Sequence, residues 1–383
     1  MSYGLYFHIP FCKKKCNYCD FLSFSIDGFS DEFIGKYVNS LKAEWDNKKH
    51  MIDTADTIFI GGGTPSVINP KYIYDILDYT TKDVSIDKSA EITIEVNPGT
   101  VTKEHFDLYK KAGINRISIG VQSTHNRLLK SLGRIHTFDD VIRTINDAQN
   151  AGFENINCDL IFAIPEILTT QAQTISELEQ DIKILLSLNI KHLSAYSLIL
   201  EEKTKFFDLY NEDKLKFIDD NEERKMYYSL IEILASNGFR HYEISNFALD
   251  NYQSRHNIKY WECSKYLGFG IGAASYFPSS RDESYIRQAC TSNISDYACG
   301  KFEYDYEKIS IEEQMKEYMM LGFRLLSGPD RAGFIKRFGL DYSEYFNEIL
   351  CNLKNKGLIC FDNNAKLTSK GLDFANEVFR EFI

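Results

Sequence analysis

Between residues 4 and 202 the chain alternates short apolar runs with segments of helical spacing, and this alternation restricts its fold more than any other feature. "GLYFHIPF" (4–11), "ADTIFIGGGTPS" (55–66), "EITIEVNPGT" (91–100), "INRISIGVQS" (114–123), "ENINCDLIFAIP" (154–165) and "KHLSAYSLILEE" (191–202) read as strands. "FIGKYVNSLKAEWDN" (33–47), "NPKYIYDILDYTTKD" (69–83), "KEHFDLYKKAG" (103–113), "FDDVIRTINDAQNAG" (138–152) and "ISELEQDIKILLSLN" (175–189) read as the helices between them. Strand–helix repeats of this length specify βα units that feed a parallel sheet. Six strands are too many for half of a doubly wound nucleotide-binding fold and suit a complete or partial barrel. The expected class is therefore α/β, with a partial (β/α)6 barrel. Barrel chemistry sits at the C-terminal ends of the strands. The residues of note fall there: three cysteines after the first strand, "GGGTP" after the second, Glu95 and Asn97 after the third, Gln122 after the fourth and Asp159 late in the fifth.

From 203 to 300 the pattern is less regular. "NEERKMYYSLIEILASNGF" (221–239) is helical and "YLGFGIGAASYF" (266–277) is a glycine- and alanine-rich, strand-like run. A boundary is expected at 300–310, dividing the chain into a core of residues 1–300 and a C-terminal unit of residues 301–383. That unit shows three helical stretches, then "LICFDNNAKLT" as a hairpin with an Asn-Asn turn, then a last helix. This order resembles a winged helix. DNA binding by such a unit needs a basic recognition helix, and here the charges are nearly balanced, so a structural or partner-docking role is expected.

A formal net charge of −11 and a pI of about 5.3 describe a surface that repels phosphate backbones, which argues against general nucleic-acid binding. No stretch reaches the ~20 apolar residues of a membrane span. The start of the chain lacks the basic head and apolar run of a secretory signal, so a cytoplasmic location is expected. In that reducing compartment Cys158, Cys263, Cys290, Cys299, Cys351 and Cys360 read as core or surface residues.

Cys12, Cys16 and Cys19 are different, because nothing in core packing asks for three cysteines within eight positions. A structural zinc site would need a fourth ligand. His8 is near, but it lies on the expected strand, and no second CxxC follows. The alternative is a [4Fe–4S] cluster on three thiolates with one iron left open.

CxxxCxxC after a first strand resembles the radical S-adenosylmethionine (SAM) superfamily. The resemblance implies that the amino and carboxylate groups of SAM complete the open iron. It also implies that an electron from the cluster cleaves a C–S bond to give a 5′-deoxyadenosyl radical. Tyr18, between the second and third cysteines, stands where the superfamily has an aromatic residue near the adenine. In "GGGTP" (61–65), glycines let backbone approach a ligand closely.

"YFHIPFCKKKCNYCDF", "GGGTPS", "EVNPGT", "RISIGVQS", "LGRIHT", "YEISNFA", "SRHNIKYW" and the C-terminal unit extend the resemblance to the HemN/HemW family over nearly the whole chain. It implies SAM contacts at Tyr6, Tyr18, Gly62 and Glu95. Around a second SAM in the oxidase branch it implies contacts at Gly63, Thr64, Gln122, Arg134 and Asp159. The oxidase branch carries a further cysteine two positions after the third; here that position is Phe21. It also carries an N-terminal extension, whereas here the first strand starts almost at once. "HNIKYW" (256–261) matches the HNxxYW motif of the HemW branch, which is associated with heme. On that resemblance His256, Tyr260 and Trp261 are the heme candidates: a neutral imidazole can ligate iron and aromatic rings can pack on a macrocycle. The plainer reading is that His256 satisfies a loop hydrogen bond and Trp261 is core. Two departures fall at Ala163, where the family has a "GLP" turn, and at Ala274, in "GAAS" where HemW-type chains often have "GAHS".

The resemblance implies a heme chaperone that binds a [4Fe–4S] cluster, SAM and heme and delivers heme to apo-hemoproteins. The alternatives are an oxygen-independent coproporphyrinogen III oxidase or another radical SAM reaction on a tetrapyrrole, so whether the chain is an enzyme stays open. The HemW branch is also associated with dimerisation and membrane-bound recipients. That implies a homodimer and peripheral membrane contact, although no amphipathic anchor is evident.

Overall fold

The computed structural model describes residues 2–383. Six strands follow the expected order: β1 (Tyr3–Ile9), β2 (Thr54–Gly62), β3 (Ser85–Val96), β4 (Arg116–Gln122), β5 (Asn155–Phe162) and β6 (His192–Ser197). Each is parallel to the next, and the intervening helices are α1 (Asp31–Lys48), α2 (Pro70–Thr80), α3 (Lys103–Lys111), α4 (Phe138–Asn150) and α5 (Ile175–Ser187). Helix starts are set by side-chain caps, with reciprocal capping boxes at Thr137/Asp140 and Thr174/Glu177.

The strands are two-faced. Side chains alternate across a strand, and in β4 this puts Ile117, Ile119 and Val121 on one face and Arg116, Ser118, Gly120 and Gln122 on the other. The apolar faces of all six strands pack under the helices into one large core. The opposite faces turn inward and carry Tyr6, Thr57, Glu95, Ser118, Asp159 and Ser194, so the barrel interior is polar.

The sheet has twelve strands and does not close. The others are β7 (Arg240–Glu243), β8 (Asn246–Ala248), β9 (Tyr266–Phe269), β10 (Ala274–Pro278), β11 (Tyr285–Cys290) and β12 (Tyr304–Ile309). The spatial order is β7-β8-β6-β5-β4-β3-β2-β1-β9-β10-β11-β12. The strand-like run over 266–277 is therefore corrected to two strands. Gly270 and Gly272, at φ 104° and 69°, turn the chain between them. The first of the two, β9, pairs in parallel with β1 as a seventh parallel strand.

β12 pairs with β11, so the large sheet runs to Ile309 and extends past residue 300. After it come helices over Ile311–Gly322, Arg331–Phe338 and Asn347–Asn355, a hairpin of Ile359–Phe361 with Ala365–Leu367, and a final helix over Ala375–Arg380. They enclose a second core built on Met319, Phe323, Phe334, Phe346 and Leu353. The chain between helices at 324–326 lies along β7: Ile244 N–H donates to Arg324 O and Leu326 N–H to Tyr242 O, both at 3.1 Å. No helix among the described residues is long and apolar enough to cross a membrane.

Candidate active site and its floor

At the C-terminal ends of the strands the inner faces open into a cavity of about 340 Å³. Of the twelve residues expected to serve the cluster and SAM, all but Tyr6 line it: Cys12, Cys16, Cys19, Tyr18, Gly62, Gly63, Thr64, Glu95, Gln122, Arg134 and Asp159. Tyr6 sits deeper, with its hydroxyl 3.0 Å from His8 Nδ1. All nine cysteines are free; Cys12, Cys16 and Cys19 are half-buried, while Cys158, Cys263 and Cys290 are buried and Cys299, Cys351 and Cys360 exposed.

The cysteine loop is fastened on two sides. On one, the glycine turn after β2 lies against it: Gly63 N–H donates to Ile9 O at 2.9 Å and Thr64 N–H to Phe11 O at 2.7 Å. A Cβ at Gly63 would stand 2.8 Å from Phe11 O and 3.1 Å from Cys12 Sγ, so glycine is required by the approach itself. On the other side, Asn17 N–H donates to Leu132 O at 3.0 Å and Asn17 Nδ2 to Ser131 O at 3.0 Å. These bonds tie the loop to the "LGR" turn that delivers Arg134.

A hydrogen-bonded chain then joins two of the thiols. Arg134 donates to Cys16 Sγ at 3.4 Å and to Asn97 Oδ1 at 2.6 Å. Asn97 Nδ2 donates to Thr64 Oγ1 at 2.7 Å, and Thr64 Oγ1 donates to Cys12 Sγ at 3.5 Å. Asn97 is the hinge of this chain. A Cβ at Gly120 would fall 2.8 Å from Asn97 Oδ1 and 3.1 Å from Arg134, which explains a second glycine in the site. The sequence reading noted Asn97 only as a strand-end residue and did not single out Gly120. Their signal was the position of each on an inward-facing alternation.

Burial pushes the Cys19 thiol up to about 11, against a backbone N–H bond from Phe21 that lowers it. Burial and the nearby Asp159 push Glu95 up to about 8, opposed by the Gly62 N–H that donates to Glu95 Oε2 at 3.1 Å and by the charge of Arg116. Asp159 is raised by burial, against hydrogen bonds from Asn157 and Ser118. Gln122 leaves β4 at φ 68° and Ala163 follows β5 at φ 55°, so two non-glycine residues stand in the left-handed region at the cavity end of the sheet. Ala163 takes this conformation where the family pattern has glycine. Phe21, at the position of the oxidase branch's extra cysteine, lines the cavity and is 61% exposed.

The "HNIKYW" residues lie at the other end of the barrel. His256 is 1% exposed, on a short helix over Arg255–Trp261. Its Nδ1 is 2.9 Å from Thr57 Oγ1 and its Nε2 is 2.9 Å from Tyr260 Oη. Burial first, then the Lys259 charge, push it down to about 3, so the ring is neutral with both nitrogens engaged. Trp261 packs beneath the Arg324 guanidinium, 4.2 Å from the ring centroid. These are the placements of the three heme candidates: His256 is buried, and Tyr260 and Trp261 are half-buried. In this packing each ring nitrogen of His256 faces a hydroxyl.

Residues 6–178 match the family model "Radical SAM superfamily" and residues 309–374 match "HemN C-terminal domain". The heme chaperone HemW of Bacillus subtilis is 35% identical over 99% of this chain and 98% of its own length. That of Lactococcus lactis is 34% identical over 99% and 96%. The chain belongs to the HemW family. Its fold is that of the radical SAM enzyme coproporphyrinogen III oxidase of Escherichia coli, with a TM-score of 0.79 and 20% identity over 100% of this chain and 90% of that one.

Membership in this family implies a [4Fe–4S] cluster and SAM. The residues present fit both. Three free, half-buried thiols edge one cavity, as clusters of this type require. Beside them a glycine cradle that any Cβ would fill leaves backbone next to the thiols.

Proposed function

We propose that the protein is a heme chaperone, which holds a [4Fe–4S] cluster on Cys12, Cys16 and Cys19 with SAM beside it and passes heme to apo-hemoproteins. The observation that carries this reading is the identity of about one third to heme chaperones over essentially the full chain. The cluster, when bound, supplies the electron for reductive cleavage of SAM. The chain's own residues bind and orient. Gly62 and Gly63 admit the ligand to the backbone beside the thiols. Glu95 and Asp159 offer carboxylate oxygens to hydroxyls or to a cationic group. Arg134 offers its guanidinium to a carboxylate of the ligand, and Tyr18 gives the adenine a ring to pack on. Gln122 and Thr64 offer further polar contacts at the cavity wall.

Phe21 favours the chaperone over the oxidase reading, because an apolar side chain stands where the oxidase branch has a thiol. The test is transfer of heme from the cluster-loaded protein to an apo-hemoprotein, followed in the Soret region. Transfer that depends on this protein supports the reading. Formation of protoporphyrinogen IX from coproporphyrinogen III with SAM and reductant, without heme transfer, overturns it in favour of the oxidase.

A further inference from the structure

Beneath the cofactor cavity lies a second, inner chamber of about 190 Å³. Glu95, Ser118, Asp159 and Tyr196 line both, so the two spaces share a wall. The far side of the chamber is made by His256, Asn257 and Tyr260. Into it faces Arg116, the first residue of β4, which is 2% exposed. Among the described residues its guanidinium makes no salt bridge, and its Nε has no hydrogen-bond partner.

A buried charge without a partner costs several kcal/mol unless the surroundings compensate it. A polar chamber of this size holds water, which meets part of the need. The rest must come from charge. The groups that feel Arg116 are Glu95, Asp159, His192, Tyr242 and His256. The two histidines are driven down by burial and stay neutral. Tyr242, like Tyr6, Tyr196 and Tyr260 around the chamber, is driven up and stays neutral. Of the carboxyls that line the chamber only Glu95 and Asp159 remain as its counter-charge, and both face the cofactor cavity; Glu91, buried on the same face of β3, is taken up by the backbone N–H groups of Arg255 and His256.

We propose that Arg116 is a positioning residue for the cofactor cavity, supplying the buried positive charge against which Glu95 and Asp159 present negative charge to a cationic ligand. This rests on the reading that the cavity takes SAM, whose sulfonium is such a cation. Arg116 itself does not line the cavity; Glu95 and Asp159 stand between it and the ligand. The "HNIKYW" residues then have a role in the same device. They wall the chamber off from below and keep its floor neutral.

The experiment is SAM titration of the cluster-loaded protein by calorimetry from pH 6 to 8.5, for wild type, Arg116→Gln and Arg116→Lys, with iron and sulfide content as the check on folding. Wild-type affinity rises with pH as the carboxyl pair ionises. In Arg116→Gln that rise moves up by about one pH unit and affinity at pH 7 falls about tenfold, while Arg116→Lys stays near wild type. A purely structural role would lower affinity equally at every pH. A glutamine variant with the wild-type pH profile overturns the proposal. If that variant does not load its cluster, Asp159→Asn decides. Removing the charge that adds to burial in raising Glu95 moves the rise to lower pH, and an unmoved profile overturns the proposal. Wild type that holds its cluster but binds no SAM overturns both this inference and the cofactor reading on which it rests.

Discussion

The two ends of the barrel were both marked by the sequence as ligand sites, and they are built in opposite ways. At the top, the cysteines sit on a half-buried loop whose thiols are free and open to a cavity. At the bottom, His256 is sealed, with each ring nitrogen at 2.9 Å from a hydroxyl. The thiols of Cys16 and Cys12 accept one bond each, from Arg134 and Thr64, and still face the cavity, whereas both nitrogens of His256 are engaged inside the fold.

The largest expected effect tests the top. Replacing any one of Cys12, Cys16 or Cys19 by alanine abolishes cluster iron and sulfide, measured chemically after anaerobic reconstitution. Full retention in any of them would break the comparison from above.

His256→Ala tests the bottom. The variant loses a buried ring and leaves Thr57 and Tyr260 without their partner, which costs about 2–4 kcal/mol in urea unfolding. Heme affinity in the still-folded variant stays within about twofold of wild type, since a 1.4 kcal/mol change would be tenfold. A loss of tenfold or more would make the floor a heme site after all.

Acid sharpens the same contrast. His256 in the folded state is held at about 3, and buried His136 at about 4, so the unfolded chain takes up their protons first as pH falls below about 6.5. Stability is therefore lost from about pH 6.5 down to about 4 through His136 and about 3 through His256, by up to about 1.4 kcal/mol per pH unit for each histidine. His256→Ala has a shallower slope, and an unchanged slope would mean that the ring is not held neutral.

Next in size is Asn97→Ala. It cuts the hydrogen-bonded chain between Cys16 and Cys12, and loss of a bond to the charged Arg134 is worth about 1.5–3 kcal/mol. Slower cluster reconstitution and weaker SAM binding are expected, with the fold intact by circular dichroism. The smallest effect is Ala163→Gly, which relieves a left-handed alanine and raises stability by less than about 1 kcal/mol.

Most of the top was legible. The six strands and the helices α1–α5 carry their periodicity in short windows, and glycine or asparagine marks where they end. The cysteine spacing carried the site. The rest was hidden for physical reasons. β9 joins β1 across more than 250 residues, and no local period records such a pairing. Arg116 stands at the head of an apolar-looking run in "INRISIGVQS", and only the alternation of the next six residues shows that it faces inward. The packing of His256 was hidden because a motif states which residue is present and not how many of its hydrogen bonds are already made.

The twelve-stranded sheet has two edges, and neither offers a free template. At β7 the chain over 324–326 already occupies backbone groups of Tyr242 and Ile244. At β12 the outward run Asp305, Tyr306, Glu307 and Lys308 is exposed, three of the four charged. Charged or covered edges resist the addition of a strand from a neighbouring molecule. A large sheet that stays open is thus guarded against strand addition at both of its edges.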